Sequence, residues 1–365
     1  MKLITSSFEI LEQSPGIQGV KKQIELAGRT CYKSEDKITD TSCEEFVNRM
    51  IKSGHGAMLE HGTVYLMIHT IAPEDWDKKI TRHRRITIDD ARANLRTNPT
   101  YDSAGEEHWW AKEAHHIAYK MAVKYADNQY SSVKIVLTKH ELNTEGGVII
   151  TPTNNIPMVT KGSDKVISVF NTILITTNYR VLVENGWLDD LQYQCEPTEH
   201  HEKRITVKFI LPISISREYI RHRTFSFAEQ STRYCNYSKD KFGNELTFIK
   251  PYWVTDPVLE VYFDGYCKIF ESAYLDLTGD IYNRWLQEST EKEKDVEYYK
   301  KYILKAQEAR EFLPLCTKTE LVMTGFVSDW EHFFKLRCHS TAHPQARELA
   351  VPLKEEFIKR GYISS

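Results

Sequence analysis

The sequence predicts an α+β protein in which a mixed β-sheet packs against long helices and an α/β subdomain is inserted into the chain. Three observations support this prediction. Apolar residues alternate along a stretch that begins at Ile205, long helical patterns fill the last third of the chain, and short alternating runs with turn residues fill the middle. We therefore expect the two ends of the chain to form one core and the middle of the chain to form a separate unit.

The first strong helical pattern begins near Thr41, because Thr41 to Glu44 has the form of a capping box. An apolar stripe with helical spacing follows, made of Phe46, Val47, Met50 and Ile51. Gly54 is a residue that ends helices. His55 is therefore expected at the C-terminal end of this helix.

The middle of the chain has a different pattern. Between about Ile68 and Arg204 there are short alternating runs, turn-forming Thr-Asn-Pro and Gly-Gly clusters, and one Trp-rich helical stretch near Glu107 to Tyr125. We predict that residues 68–204 form an inserted subdomain, whose role the sequence does not reveal. Residues 1–67 and 205–365 are predicted to form the core.

The alternation from Ile205 to Ile215 predicts a strand with one buried face, which leads directly into Arg217 to Arg223. Helical patterns follow at about Pro257 to Gln287 and Glu293 to Phe312. A capping box, Ser328 to Glu331, opens another helix. A final helix is predicted to begin at Pro344, since proline suits the first turn.

Composition excludes several classes of protein. The chain has 365 residues, of which 41% are hydrophobic, so it is too apolar for global disorder. Its 48 Lys and Arg against 51 Asp and Glu give a net charge of -3, which argues against general nucleic-acid binding. No apolar run is long enough for a signal peptide or a membrane span. Seven cysteines without CxxC spacing favour a reduced, cytoplasmic setting and no metal site.

The stretch Arg221 to Tyr234, RHRTFSFAEQSTRY, contains the strongest functional signal. Its three arginines are suited to the oxygens of a doubly charged ligand such as a phosphate, and Glu229 among them is suited to accept hydrogen bonds from a base or ribose. A solvated charge cluster is the alternative. The similar triplet Arg82 to Arg84 is followed by Asp89, Asp90 and Arg92 at helical ion-pair spacing, which predicts an exposed charged face.

The order Arg221-His222-Arg223, then Ser231 and Thr232-Arg233-Tyr234, resembles the signature of the flavin-dependent thymidylate synthases, the ThyX family. Five further stretches resemble the same family: CYKS at 31–34, SGHGAMLEH at 53–61, REFLPL at 310–315, HFFKLR at 332–337 and AHPQARELA at 342–350. The resemblance covers about Val20 to Leu66 and Ile205 to Ser365. Most of the middle segment is outside it.

The resemblance implies reductive methylation of dUMP to dTMP. In that family, methylenetetrahydrofolate donates the carbon and NADPH the electrons, through bound FAD that carries the hydride chemistry. The family further implies a homotetramer with FAD bound between subunits. The partners expected are therefore small-molecule substrates and other copies of the chain, with no membrane and no nucleic acid.

The resemblance also implies roles for particular residues. Arg337 and Ser231 are expected at the reacting base, with the cation of Arg337 favouring the N3-ionised pyrimidine. The residues expected to bind dUMP are Arg221, Glu229, Gln230, Ser231, Thr232, Arg233, Arg310 and Arg337. Those expected to bind FAD are Glu60, Arg221, His222, Arg223, Glu229 and His332. His55 is expected near the folate or the flavin.

Other uses of these residues are disfavoured. Ser231 has no visible Ser-His-Asp arrangement, and His55 and His61 are not at the i, i+4 spacing of a helical zinc pair. Cys316 and Cys338 lack the Pro-Cys-His order of cysteine-dependent thymidylate synthases. No GxGxxG motif occurs, so a Rossmann flavin site is not expected.

The chain departs from the family pattern at several positions. Glu218 stands where the family commonly has Gln, and it would bring an acid close to the nucleotide unless it turns away. The other departures are Ala57, Ala228, Phe326 and Ser328. Two alternatives therefore stay open: a flavoprotein relative that has lost methylation activity, and a protein that binds single-stranded nucleic acid by charge and stacking.

Overall fold

The computed structural model describes residues 1–69, 80–86, 120–121, 124–126, 133–145, 165–280 and 303–364. The chain divides into two compact units. Unit 1 comprises residues 1–13, 21–61 and 205–365, and unit 2 comprises residues 14–20 and 62–204. Each unit contains helices and a four-stranded sheet, and unit 1 also pairs two strands in parallel, so the α+β fold class with mixed strand pairing is confirmed.

The first part of the chain supplies two short strands and three helices. These elements are β1 (Lys2–Ile4), β2 (Ser7–Leu11), α1 (Gly16–Tyr32), α2 (Ser42–Lys52) and α3 (Gly56–Leu59). Helix α2 begins directly after Thr41, as the predicted cap requires, but the Thr41 side chain makes no capping bond. Thr39 and Ser42 make the reciprocal bonds instead, each donating its N–H to the hydroxyl oxygen of the other. Gly54 follows this helix with a φ of 69°, a conformation that favours glycine.

Unit 2 is built around an antiparallel sheet with the strand order β3-β6-β5-β4. Its elements are β3 (Thr63–His69), β4 (Ile80–Ile86), β5 (Lys134–Glu145), β6 (Lys165–Asn178) and α4 (Tyr179–Asn185). Arg82 to Arg84 lie in β4 and not in a helix. Asp89, Asp90 and Arg92, on which the predicted charged face depends, lie outside the described residues. Most of the Trp-rich stretch at 107–125 lies outside the described residues.

The remainder of unit 1 carries the candidate site. Its elements are β7 (Arg204–Pro212), α5 (Ile213–Tyr219), β8 (Ser226–Glu229), β9 (Thr247–Ile249), α6 (Pro257–Leu275), α7 (Ala306–Ala309), β10 (Lys318–Phe326), α8 (Val327–Arg337) and α9 (Pro344–Lys359). Strand β9 pairs with β1, and the main sheet has the order β2-β7-β10-β8. The strand predicted to run to Ile215 ends at Pro212 instead, and a helix begins there.

An aromatic core holds α5, α8 and α9 against the main sheet. Trp330 is fully buried, its ring lies 4.7 Å from that of Phe225 between centroids, and its indole N–H donates to the carbonyl oxygen of Ile205 at 3.1 Å. The Tyr219 hydroxyl donates to the carbonyl oxygen of Ala346 at 2.9 Å. Burial of several large aromatic side chains stabilises the fold and fixes the positions of the adjoining polar residues.

Strand β7 is central in the main sheet, and both of its faces are covered. Val207, Phe209 and Leu211 are fully buried, as the alternation predicts. On the opposite face the Thr206 hydroxyl lies 2.9 Å from that of Thr324, and Lys208 forms an ion pair with Glu320. A polar layer therefore covers the second face.

Candidate functional site

The end of β7 and the start of α5 form one wall of a pocket. Pro212 precedes α5, and the N–H groups of Ile213 and Ser214 donate to the carbonyl oxygens of Thr317 and Leu315. These bonds satisfy N–H groups that have no partner within the first turn of a helix. They also hold the helix beside the segment that leads into β10.

The pocket has a volume of about 520 Å³. It is lined by Ile213, Ser216, Arg217, Ile220, Glu229, Gln230, Ser231, Thr232, Arg233, Arg310, Glu311 and Leu313. Six of the residues expected to bind dUMP are thus brought together from two segments that are distant in the sequence. Arg221 and Arg337 do not line it.

Three arginines contribute positive charge to the pocket. Arg217, Arg233 and Arg310 all line it and are all exposed. Arg310 lies 3.5 Å from a carboxylate oxygen of Glu311, but both side chains are largely exposed, so solvent screens this pair. The Arg233 guanidinium lies over the ring of Tyr234, at 5.5 Å from its centroid. Guanidinium groups in this arrangement suit a phosphate.

Glu229 is the second carboxyl group that lines the pocket, besides Glu311. Its Oε1 accepts hydrogen bonds from the hydroxyls of Ser216 at 2.6 Å and Thr319 at 3.2 Å. Burial raises the pKa of Glu229, while the two hydroxyl donors and the charge of Arg217 act in the opposite direction. The carboxyl group is therefore protonated at a higher pH than an exposed one. Its protonation removes a negative charge and makes the pocket more positive.

Ser231 shapes the turn that follows β8. Its N–H donates to the carbonyl oxygen of Cys31, its Oγ accepts from the N–H of Arg233 at 3.3 Å, and its carbonyl oxygen accepts from the N–H of Cys235. Among the residues that the structure describes, no histidine or lysine bonds to its hydroxyl. A nucleophilic role for Ser231 lacks an activating base, and a positioning role remains.

Gln230 faces away from the ligand side of the pocket. Its N–H donates to the carbonyl oxygen of Glu320 at 2.8 Å, its amide oxygen accepts from Lys318 at 3.0 Å, and its amide nitrogen donates to the Tyr237 hydroxyl at 3.3 Å. Gln230 was expected to bind dUMP, but its N–H is not available to a nucleotide, because it already bonds to β10. Thr232 lies on the pocket wall.

Arg337 lies in a second cluster, at the end of α8. Its Nη1 donates to Oε2 of Glu218 at 2.6 Å, its Nη2 to the main-chain oxygen of Glu218 at 2.7 Å, and its Nε to Nε2 of His222 at 2.9 Å. Glu218 thus turns its carboxylate toward an arginine. The positive charge of Arg337 therefore balances the negative charge that Glu218 would bring close to the nucleotide.

The histidines of this second cluster are close together. The ring centroids of His222 and His332 are 6.2 Å apart. Burial and the charges of Arg337 and His332 lower the pKa of His222 to about 4. His222 is neutral at pH 7, and it accepts the Arg337 hydrogen bond at Nε2, so its proton is on Nδ1. Arg221 and Arg223, on either side of it, are exposed.

The two other predicted cofactor residues flank α3. His55 precedes this helix and is exposed, and Glu60 follows it with its N–H bonded to the carbonyl oxygen of Ala57. His61 is fully buried, and its Nδ1 lies 2.8 Å from the hydroxyl oxygen of Thr324. Within the described part of the chain, no group of three or more His, Cys, Asp or Glu residues has the arrangement of a metal site.

The thiols near the site are poor nucleophiles. Burial raises the pKa of Cys31 to about 12 and also raises the pKa values of Cys235 and Cys338. A thiol with a raised pKa has little thiolate at neutral pH. All seven cysteines are free.

Six of the residues that line the pocket were not expected there from the sequence, and Ser216 and Arg217 are among them. Ser216 and Arg217 face the pocket because the chain turns into α5 after Pro212. The apolar alternation continues through Ile213 and Ile215, and it conceals the change from strand to helix. The proline before this stretch is the one local signal of a boundary.

A family profile described as "Thymidylate synthase complementing protein" matches residues 185–360. The flavin-dependent thymidylate synthase of Synechocystis is 29% identical over 42% of this chain and 66% of its own length. A probable flavin-dependent thymidylate synthase of Paramecium bursaria Chlorella virus 1 is 32% identical over 40% of this chain and 62% of its own. The chain thus spans less than two thirds of the length of both relatives.

Among solved structures, a UMP/dUMP methylase from Streptomyces cacaoi bound to 5-Br dUMP is similar, with 21% identity. The match covers 43% of this chain and 66% of that one, with a TM-score of 0.30. A likeness this low supports no conclusion about function.

None of the helices in the described residues combines the length and the apolar character that crossing a bilayer requires.

Proposed function

We propose that the chain is a member of the family of flavin-dependent thymidylate synthases, to which it is similar, and that it converts dUMP to dTMP by reductive methylation. Methylenetetrahydrofolate is the carbon donor and NADPH the reductant in this proposal, with FAD as the cofactor. One observation supports it most: the motif after β8 and the segment at Arg310 together form a pocket with three arginines and a half-buried carboxyl group. That pocket suits a nucleotide phosphate.

In this proposal Arg233 and Arg310 hold the phosphate of dUMP, and Arg217 joins them. Charge-assisted hydrogen bonds contribute about 1.5 to 3 kcal/mol each, whereas association costs about 4 to 15 kcal/mol. Three such bonds therefore do not give tight binding without a further contact. Stacking of the uracil on a flavin ring supplies it, so dUMP is expected to bind well only to the flavin-loaded protein.

Arg337 acts on the base in this proposal. A cation beside a pyrimidine favours the N3-ionised ring, which is the more nucleophilic form. Ser231 orients the ligand through the turn that it stabilises. Neutral His222 keeps the Arg337 guanidinium in place and adds no second positive charge.

The residues around Arg221 fit the phosphates of FAD. Arg221 and Arg223 are exposed, and neither forms an ion pair with any residue that the structure describes, so both guanidinium groups are available to a diphosphate. His222, His332 and Glu60 would contact other parts of the cofactor, with Glu229 and His55 closer to the substrates. When bound, FAD supplies the hydride transfer chemistry.

We also propose a cytoplasmic homotetramer with composite sites. The predicted nucleotide residues fall into two groups, the pocket and the Arg337 cluster, which face different sides of α5. In addition, α6 exposes an apolar face of Val258, Val261, Tyr262, Tyr266 and Ile269. An apolar patch of this kind indicates contact with another protein surface, and a second copy is the partner that the family implies.

The predicted division into a core and an inserted segment, 68–204, remains a proposal. We assign the proposed activity to residues 1–67 and 205–365, because all the named site residues lie there.

Tritium release from dUMP labelled at C5 tests the proposed function directly. Release should require methylenetetrahydrofolate, NADPH and FAD, and it should disappear in Arg337→Ala. No release from a folded, flavin-loaded protein would point instead to a relative without methylation activity. If the protein does not bind flavin, and if it binds oligonucleotides with an affinity that falls steeply as salt is added, it is a protein that binds single-stranded nucleic acid.

A further inference from the structure

Arg337 is held by two side chains and one main-chain carbonyl, all from the segment that follows β7. Glu218 accepts two of its hydrogen bonds and His222 accepts the third. The Arg337 side chain is 16% exposed and that of Glu218 is 31% exposed, so the pair is only partly screened by solvent. This arrangement links the end of α8 to α5.

Three hydrogen bonds in different directions fix the orientation of the guanidinium group. A guanidinium has five N–H groups, and three of them are used here. One N–H on each Nη has no partner among the residues that the structure describes. Arg337 thus presents two donors in a defined orientation, where a free arginine side chain would sample many rotamers.

We propose that Glu218 is the positioning residue for Arg337: its carboxylate and main-chain oxygen hold the guanidinium so that two N–H groups are available to the carbonyl oxygens of a pyrimidine. This inference rests on the proposed function and names a residue of the same site. Glu218 itself does not touch the substrate. It acts by fixing Arg337 before the nucleotide binds, which preserves the geometry that the reaction needs.

Three substitutions separate orientation from charge. Glu218→Gln keeps an acceptor of the same shape and removes the charge, so kcat/KM should stay within about threefold of the wild-type value. Glu218→Ala removes the acceptor, and kcat should fall at least about tenfold while the KM for dUMP changes less, because the phosphate pocket is intact. Glu218→Asp keeps the charge but is one methylene shorter, and it should behave like Glu218→Ala.

A second readout does not depend on activity. Phenylglyoxal modifies arginine side chains, and peptide mass spectrometry measures the rate at each position in the flavin-loaded protein without substrate. Arg337 should react about tenfold faster in Glu218→Ala and Glu218→Asp than in the wild type or Glu218→Gln, because a paired guanidinium is less reactive and less accessible. Arg217, on the same helix as Glu218, is the internal reference for the modification rate. Glu331→Gln removes an exposed carboxylate from α8 and should change neither readout.

Two results would overturn the proposal: an unchanged Arg337 modification rate in both Glu218→Ala and Glu218→Asp, or a loss of turnover in Glu218→Gln as large as in Glu218→Ala. Glu218→Asp keeps the test valid if Glu218→Ala does not fold. A failure of the proposed function looks different, because the wild-type protein would then release no tritium while the modification rates still report on Arg337.

Discussion

At the scale of single residues, the ionisation of Glu229 controls the charge of the pocket. Its pKa is raised mainly by burial, so the folded protein binds this proton more tightly than the unfolded chain does. The stabilisation that results is fully present below the pKa of the unfolded chain, and it is lost as the pH rises through the higher pKa of the folded protein. A neutral amide at this position avoids that loss.

The first prediction concerns Glu229→Gln. Its free energy of unfolding should increase relative to that of the wild type as the pH rises from 4 to 7, measured by urea denaturation at each pH. The affinity for inorganic phosphate should also be higher in the variant at pH 7, because one negative charge is removed from the pocket. A difference in unfolding free energy that is independent of pH would show that Glu229 does not titrate with a raised pKa.

The second prediction concerns the phosphate arginines. Arg233→Ala and Arg310→Ala should each weaken dUMP binding to the flavin-loaded protein by about 1.5 to 3 kcal/mol, the range for a lost hydrogen bond to a charged group. Isothermal titration calorimetry measures this directly. Lys335→Ala removes an exposed cation of α8 and is the control. Equal losses in the control would mean that long-range charge, and not contact, is responsible.

At the scale of secondary-structure elements, a buried charge cluster connects β7, β10 and the end of α1. Glu320 on β10 forms ion pairs with Lys33, Lys208 and Lys318. Burial alone would raise the pKa of Glu320, but the charge of Lys318 and the hydrogen bonds of the three lysines outweigh it and lower the pKa to about 2. Gln230 bonds to the same Lys318, so this cluster supports one wall of the pocket.

The third prediction is that Glu320→Gln destabilises the protein by about 3 kcal/mol at pH 7, because it leaves three lysines without their buried counterion. The lowered pKa means that the carboxylate stabilises the fold above the unfolded-chain pKa, and that this stabilisation is lost as the pH falls toward 2. The difference from the wild type in urea denaturation should therefore shrink in acid. Glu355→Gln, at an exposed carboxylate of α9, should change stability little at any pH.

The fourth prediction compares two glycines. A Cβ at Gly325 on β10 would lie 2.5 Å from Cδ1 of Phe225, so Gly325→Ala must displace a core ring and should cost about 1 to 3 kcal/mol. A Cβ at Gly265 in α6 would meet nothing within 4 Å. Gly265→Ala should therefore stabilise the protein by about 0.5 to 1 kcal/mol through helix propensity. Thermal unfolding of both variants checks the pair, and a stabilised Gly325→Ala would contradict the packing.

Some helix boundaries can be predicted from the sequence pattern, and others cannot. The last helix begins at Pro344 as predicted, because proline is a local signal for the first turn. The capping box predicted at Ser328 to Glu331 is displaced by two residues: the helix begins at Val327, and Asp329 accepts a hydrogen bond from the N–H of Phe326. Helix α5 was missed, because its seven residues are too few for a helical period and Ile213 and Ile215 continue the alternation of the strand. Arg217 was missed with it. The pocket residues from Glu229 to Arg233 were anticipated because one short segment carries them.

At the scale of the whole molecule, the fifth prediction concerns the proposed composite sites. At a dUMP concentration too low to saturate the variants, Arg233→Ala and Arg337→Ala should each have little activity alone. They should regain about a quarter of wild-type activity when subunits are mixed and reassembled, if each site takes one arginine from each of two copies. Tritium release from the mixture measures this.

The control for this experiment mixes Arg233→Ala with Arg310→Ala. Both residues line the same pocket of a single chain, so no mixed site would be complete and no activity should return. Recovery in the control, or none in the first mixture, would show that the site is not shared in the proposed way.

Long-range contacts were the part of the site least accessible to sequence reasoning. Glu218 and Arg337 are separated by 119 positions, and no local pattern indicates that they pair. The departure at Glu218 raised the question of what balances its charge, and only the packing of α8 against α5 gives the answer. The net charge and the composition exclude whole classes of protein, but they do not show which side chains pair in the folded chain.

The pairing of β2 with β7 has a consequence for the order in which the chain folds. Ser7 lies opposite Ile210, so the first strand of the main sheet needs a partner that is synthesised about 200 residues later. Until the ribosome has released β7, the N-terminal strand has no neighbour in this sheet. Closing so long a loop has a large entropic cost, which slows formation of the sheet. Unit 1, with its pocket, therefore assembles only late in synthesis, after the middle of the chain has already emerged.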